Sequence, residues 1–244
     1  MAEVLREIQE RVPFNNFTGE FRASGISFPE SLGGDCVVQS DRLIKALRGG
    51  GIHGRVARSD KGRHVAVLGV TGEERYFMDP MLCQDAPILV SGPEGQVVEV
   101  GARPIVEGNP TKVLAEVSGQ IFTAWTRVYR LSVEQYFDGP KSTYASFCDD
   151  LTAGDFSVGE VLSSIVLRLP DEDGSVLILR KEVGSIGSCF AGKVGYKERM
   201  VDGEDLFPET EMILERISEK TALDIKEIFR IMNQAAQIMR SRAR

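Results

Sequence analysis

Cys36, His64 and Asp79 are the residues of this chain whose types and spacing suit nucleophilic catalysis. Cys36 follows Leu32-Gly33-Gly34-Asp35, which offers two residues free to turn tightly and an Asp suited to an N-cap. The apolar spacing from Cys36 to Leu47 predicts a helix that Gly49-Gly50-Gly51 ends. A thiol in the first turn of a helix has its anion favoured by the free N–H groups and by the helix dipole. Free cysteine is also among the most buried residue types, so position alone leaves a packing role open.

The partners come from a predicted hairpin. His64 to Val70 and Arg75 to Asp79 alternate as strands around a turn near Thr71-Gly72. If Thr71-Gly72 is a two-residue loop, His64 lies directly opposite Asp79, with Cβ atoms ~5 Å apart. If the loop is Thr71 to Glu74, the two are diagonal neighbours on the same face, still within side-chain reach. Either way Asp79 can accept from one imidazole nitrogen and leave the other to draw a proton from a thiol. An ordinary surface His–Asp pair is the alternative. The chain has 2 histidines; the other, His53, sits in Gly49-Gly50-Gly51-Ile52-His53-Gly54 and is expected in a loop. No HExxH, GxGxxG or GxxxxGK[ST] pattern occurs, so neither a metal nor a nucleotide-binding loop is indicated.

The elements that must position these groups follow from the rest of the chain. Its 244 residues with 42% hydrophobic content suffice for a core without staples. The 4 cysteines are far apart and form no CxxC pair, which points to reduced thiols. A net charge of −7 disfavours a nucleic-acid partner, and the basic tail from Arg240 reads as cations at a helix C-terminus. The N-terminus lacks the apolar stretch of a signal peptide and no run approaches the ~20 residues of a membrane span, so a cytoplasmic protein without a membrane partner is expected. A helix is predicted over 2–12, strands near 96–100, 112–117 and 125–133, a hairpin over 161–169 and 175–183 around Asp171 to Gly174, and helices over 209–223 and 225–240. Helices, then strands, then a hairpin with helices make an α+β chain.

These residues and their order resemble the arylamine N-acetyltransferase family. Val12-Pro13-Phe14-Asn15-Asn16-Phe17 is similar to its Pro-Phe-Glu-Asn-Leu stretch, and Gly33-Gly34-Asp35-Cys36 to its Gly-Gly-x-Cys. Arg63-His64-Val65-Ala66-Val67-Leu68 resembles its His strand, and Tyr76-Phe77-Met78-Asp79 its Asp strand. Trp125 to Phe137 and Ile213 to Ile217 fall where the family has comparable segments. The flanks differ: Leu32 replaces an Arg, Val38 and Ser40 replace a Glu and an Asn, and Pro80-Met81-Leu82 replaces a glycine-bearing loop. The N-terminal part is also shorter than is usual in the family.

The resemblance implies an N-terminal helical part over 1–56 bearing the nucleophile, an antiparallel β-barrel over 57–143 bearing His and Asp, and a hairpin-plus-helix lid over 144–244. It implies a ping-pong acyl transfer in which Cys36 takes the acyl group of a thioester, typically acetyl-CoA, and passes it to an amine such as an arylamine or arylhydrazine. Cys36, His64 and Asp79 would be the triad, with no metal. Phe14, Phe77 and Met81 are candidates to line the substrate pocket, a core role being their alternative. Amide synthases that release chains held on a carrier-protein thioester form a related branch. A transglutaminase-like or papain-like thiol hydrolase and a non-catalytic binding protein are the other readings.

Overall fold

The computed structural model describes residues 1–58, 64–93, 95–102, 112–118, 121–126, 129–133, 164–183, 189–193, 196–200 and 205–242. The chain divides into two compact units. The first comprises Met1–Gln9, Cys36–Pro104 and Gly108–Ser157; the second comprises Glu10–Asp35, Ile105–Glu107 and Val158–Arg244.

Helix α1 (Ala2–Arg11), which lies in the first unit as far as Gln9, begins the chain and buries Leu5, Ile8 and Gln9 along one stripe. Helix α3 (Cys36–Gly49) buries Val37, Ser40, Leu43, Ile44 and Leu47, the 3–4 residue spacing of one helix face. It packs on strands β2 (His53–Arg58) and β3 (Val65–Thr71), which form an antiparallel sheet with β4 (Glu74–Met78) and β5 (Ile88–Leu89) in that order. Gly54 allows close approach, because a Cβ there would stand 3.3 Å from the Ile44 Cα. A second antiparallel sheet holds β6 (Val97–Gly101), β7 (Lys112–Ser118), β8 (Ile121–Thr126) and β9 (Tyr129–Val133). Leu68, Phe77, Ile88, Val90, Val113 and Ala115 form a core shared by the two sheets. Among the described residues these strands make two four-stranded sheets, and no barrel closure is seen.

The second unit holds β1 (Phe14–Asn15), α2 (Thr18–Ala23), strands β10 (Ser164–Pro170), β11 (Val176–Glu182), β12 (Cys189–Lys193) and β13 (Tyr196–Met200), and helices α4 (Pro208–Thr221) and α5 (Ile225–Arg242). The strands form one antiparallel sheet in the order β1-β10-β11-β12-β13. Alternation along β10 buries Ile165, Leu167 and Leu169, which meet Phe17, Phe21, Ile213, Ile217, Ile231 and Met232 in the unit's core. The hairpin and the two helices predicted for this half are present, and the expected turn has Gly174 at φ 82°. The chain is thus a mixed helix and antiparallel-sheet fold.

Three local readings change. His53 opens strand β2 instead of lying in a loop: Gly51, at φ 75°, ends the helix abruptly and the strand starts two residues later. The single strand expected over 125–133 is two, β8 and β9, which pair with each other. Strands β12 and β13 were not anticipated. The boundary expected between 143 and 144, and one of the four cysteines, Cys148, lie outside the described residues.

Candidate active site

The two glycines ahead of Cys36 have different roles. Gly33 adopts φ 68°, and a Cβ there would collide with the Pro13 carbonyl, so a side chain is excluded on both counts. Gly34 donates to the Pro13 carbonyl (3.0 Å) and its own carbonyl accepts from Asn15 N–H (2.9 Å). The buried Asn15 side chain donates to the Leu32 carbonyl (2.9 Å) and accepts from the N–H groups of Phe17 (3.1 Å) and Thr18 (2.8 Å). This bracing leads along the chain to Cys36, the first residue of α3, which is half-buried.

The hairpin adopts the second of the two registers. Thr71 pairs with Glu74 and Val67 with Met78, so Gly72 and Glu73 form the turn, with Gly72 at φ 58°. Glycine at the first central position is what a two-residue II′ turn favours. His64 stands just before β3 and Asp79 just after β4, diagonal to one another. Their side chains meet: His64 Nε2 lies 2.6 Å from Asp79 Oδ2, with both residues buried and Asp79 wholly so. Cys36 is near enough to the same imidazole to act on its electrostatics. Since Asp79 occupies Nε2, Nδ1 is the nitrogen left for the thiol. Ser40, one helical turn beyond Cys36, donates to the Val65 carbonyl (3.4 Å) and ties α3 to the strand that His64 precedes.

The electrostatics follow from this geometry. Burial pulls the His64 pKa down, but the Asp79 carboxylate and the Cys36 sulfur, by charge and by hydrogen bond, outweigh it and raise the value to about 10. The buried surroundings therefore favour the imidazolium form of His64. Asp79 also has a second task. Its Oδ1 accepts from Met81 N–H (3.0 Å) and caps the single 3₁₀ turn Pro80–Leu82, so one carboxylate caps the loop and holds the histidine at once.

Of the other candidates, Phe77 is fully buried in the core of the first unit, and Met81 is partly buried against that core. Phe14 lies in the second unit, where the Arg168 guanidinium stands 5.2 Å from its ring centroid. His53 pairs with Val70 at the far end of β2 and β3 from His64. Among the described residues no group of three His, Cys, Asp or Glu is placed to hold a metal ion, and no helix is long and apolar enough to cross a membrane. Gln84, wholly buried beside Asp79, is the member of this neighbourhood that sequence reasoning missed.

Solved structures with this arrangement of elements exist. Two structures of the arylamine N-acetyltransferase from Mycobacterium smegmatis superpose with a TM-score of 0.56 at 13% identity, covering 98% of this chain and 91% and 90% of theirs. The fold is that of arylamine N-acetyltransferase structures. The enzyme from Mycobacterium tuberculosis matches with a TM-score of 0.55 at 11% identity over 98% of this chain and 93% of its own, and that from Mycobacterium abscessus with 0.52 at 13% over 98% and 85%. At this identity the likeness is one of fold. No protein-family profile and no curated protein sequence matches the chain.

Proposed function

We propose that the protein is an acyltransferase that moves an acyl group from a thioester to an amine through an acyl-cysteine, with Cys36 as nucleophile, His64 as base and acid, and Asp79 as the group that orients and stabilises His64. The carrying observation is the buried 2.6 Å contact between His64 Nε2 and Asp79 Oδ2, with Cys36 at the start of a helix among the groups that act on the same imidazole. The imidazole takes the thiol proton, and the sulfur adds to the thioester carbonyl. Collapse expels the donor's thiolate, which takes the proton back from the imidazolium and leaves as a thiol. An amine then adds to the acyl-cysteine, giving its proton to His64. The Cys36 thiolate leaves and an amide is released.

The fold likeness and the sequence resemblance both favour a small amine, an arylamine or arylhydrazine among them, and an acyl-CoA donor. The free thiols Cys36, Cys83 and Cys189 suit a reducing cytoplasm. The proposal is tested by steady-state assays with acetyl-CoA or longer acyl-CoA, with and without an arylamine, following CoA release and amide formation together. Amine-dependent CoA release matched by amide supports the transfer. Release that does not respond to amine makes the protein a thiol hydrolase, and turnover only with carrier-protein thioesters places it with the amide synthases.

A further inference from the structure

We propose that Gln84 is the positioning residue that holds Asp79 in register with His64. The inference rests on the triad reading for its catalytic consequence, although the Asp79–His64 geometry it concerns stands without it.

Strand β4 loses its neighbour where Asp79 begins. Pairing with β5 covers Tyr76 and Phe77 and goes no further, and pairing with β3 ends at Met78. The Phe77 carbonyl and the Asp79 N–H lie on one edge of the strand, two residues apart, where one residue of a parallel partner would bond both. The Gln84 side chain takes that residue's place. Its Oε1 accepts from Asp79 N–H (2.9 Å), and its Nε2 donates to the Phe77 carbonyl (3.2 Å) and to the Ala86 carbonyl (2.7 Å). One amide thus continues the ladder past the end of the sheet, and Asp79 keeps strand geometry (φ −128°, ψ 101°) as it enters the 3₁₀ turn.

The chain is arranged to bring Gln84 there. The turn Pro80–Leu82 ends at Cys83, which adopts a left-handed conformation (φ 52°) unusual for a residue with a side chain. That reversal returns the backbone towards β4. The Gln84 carbonyl in turn accepts from the buried Gln9 side chain of α1 (2.9 Å), so the staple is itself anchored. All the polar atoms of the Gln84 amide are engaged in a fully buried setting. Loss of the amide takes from the buried Asp79 N–H the Gln84 Oε1 that accepts from it. Asp79 can then rotate or shift, and its bond to His64 is the contact that geometry constrains most.

The test compares wild type with Gln84→Met, which keeps volume and removes every polar atom, and Gln84→Asn, which keeps the amide on a stem one methylene shorter. Val113→Ala, a buried change in the same core that makes no bond to the 77–86 segment, is the destabilised control. Three quantities are read on each folded protein: the melting temperature, the pH titration of the His64 ring by nitrogen-15 NMR, and the rate of Cys36 acylation by an acyl thioester. We expect both Gln84 variants to shift the His64 titration at least about one pH unit towards the ordinary histidine range, and acylation to fall ~10²-fold, the scale of a 1 Å misplacement. Val113→Ala lowers the melting temperature and leaves the other two unchanged. A folded Gln84→Met or Gln84→Asn with wild-type titration overturns the inference, and so does a control that moves all three. If wild type forms no acyl-enzyme yet the His64 titration still shifts in the Gln84 variants, the positioning role stands and the acyltransferase reading fails alone.

Discussion

Asp79→Asn is the substitution that the geometry constrains most tightly. In the native carboxylate, Oδ1 accepts from Met81 N–H at 3.0 Å and Oδ2 accepts from His64 Nε2 at 2.6 Å. An amide cannot do both. If the substituted side chain keeps its oxygen on Met81 N–H, its NH₂ faces His64, and Nε2 must offer a lone pair. The ring proton then sits on Nδ1, facing the Cys36 sulfur, and no base is left for the thiol. If the amide flips, its NH₂ opposes Met81 N–H and the cap of the 3₁₀ turn is lost. In both cases the negative charge that holds the imidazolium is gone. A wrong-tautomer histidine costs about 10⁴-fold in turnover in other triads, or about 5 kcal/mol of barrier. Single-turnover acylation followed by intact mass, beside a melting curve, reads the effect. A folded Asp79→Asn protein that acylates within a few-fold of wild type would refute the reasoning.

Other consequences are open to direct measurement. Iodoacetamide near neutral pH should modify Cys36 well ahead of Cys83 and Cys189, because those two are buried and Cys36 is half-buried beside an imidazole at a helix start; peptide mass mapping checks this. His64→Gln should abolish acyl-enzyme formation, while His53→Gln, on the remote end of β2, should retain most of it. Equal losses would place the base elsewhere. The His64 pKa is raised from 6.5 to about 10 in the folded protein, so its contribution to stability is complete below about 6.5 and lost as pH rises through about 10. Denaturant titrations over that window should show a decline on the order of several kcal/mol that is absent in His64→Gln.

Much of the site was legible because its signals are local. A Gly-Gly-Asp-Cys turn before an apolar helix stripe and a short alternating hairpin with His and Asp at its open ends need only periodicity to be seen. The register was not decidable, since Thr71-Gly72 and Gly72-Glu73 both make acceptable turns; pairing of Thr71 with Glu74 settles it. Gln84 left no trace because a side-chain amide standing in for a strand residue has no sequence period. His53 misled because Gly51 and Gly54 look like loop residues, whereas one ends a helix and the other lets α3 approach the sheet. Strand β12, Cys-Phe-Ala-Gly-Lys, is too short and too glycine-weakened to be read locally, and forms through its ladders with β11 and β13.

The central claim is that the Cys36 sulfur carries the acyl group. Wild-type protein mixed with an acyl-CoA and quenched within a turnover should gain the mass of one acyl group, located on the peptide containing Cys36. Addition of an arylamine before the quench should remove that mass and yield the amide. Cys36→Ser should gain no such mass under the same conditions. An acyl group found on another residue, or wild-type protein that turns over acyl-CoA with an amine while Cys36 stays unmodified and alkylatable, would contradict the account.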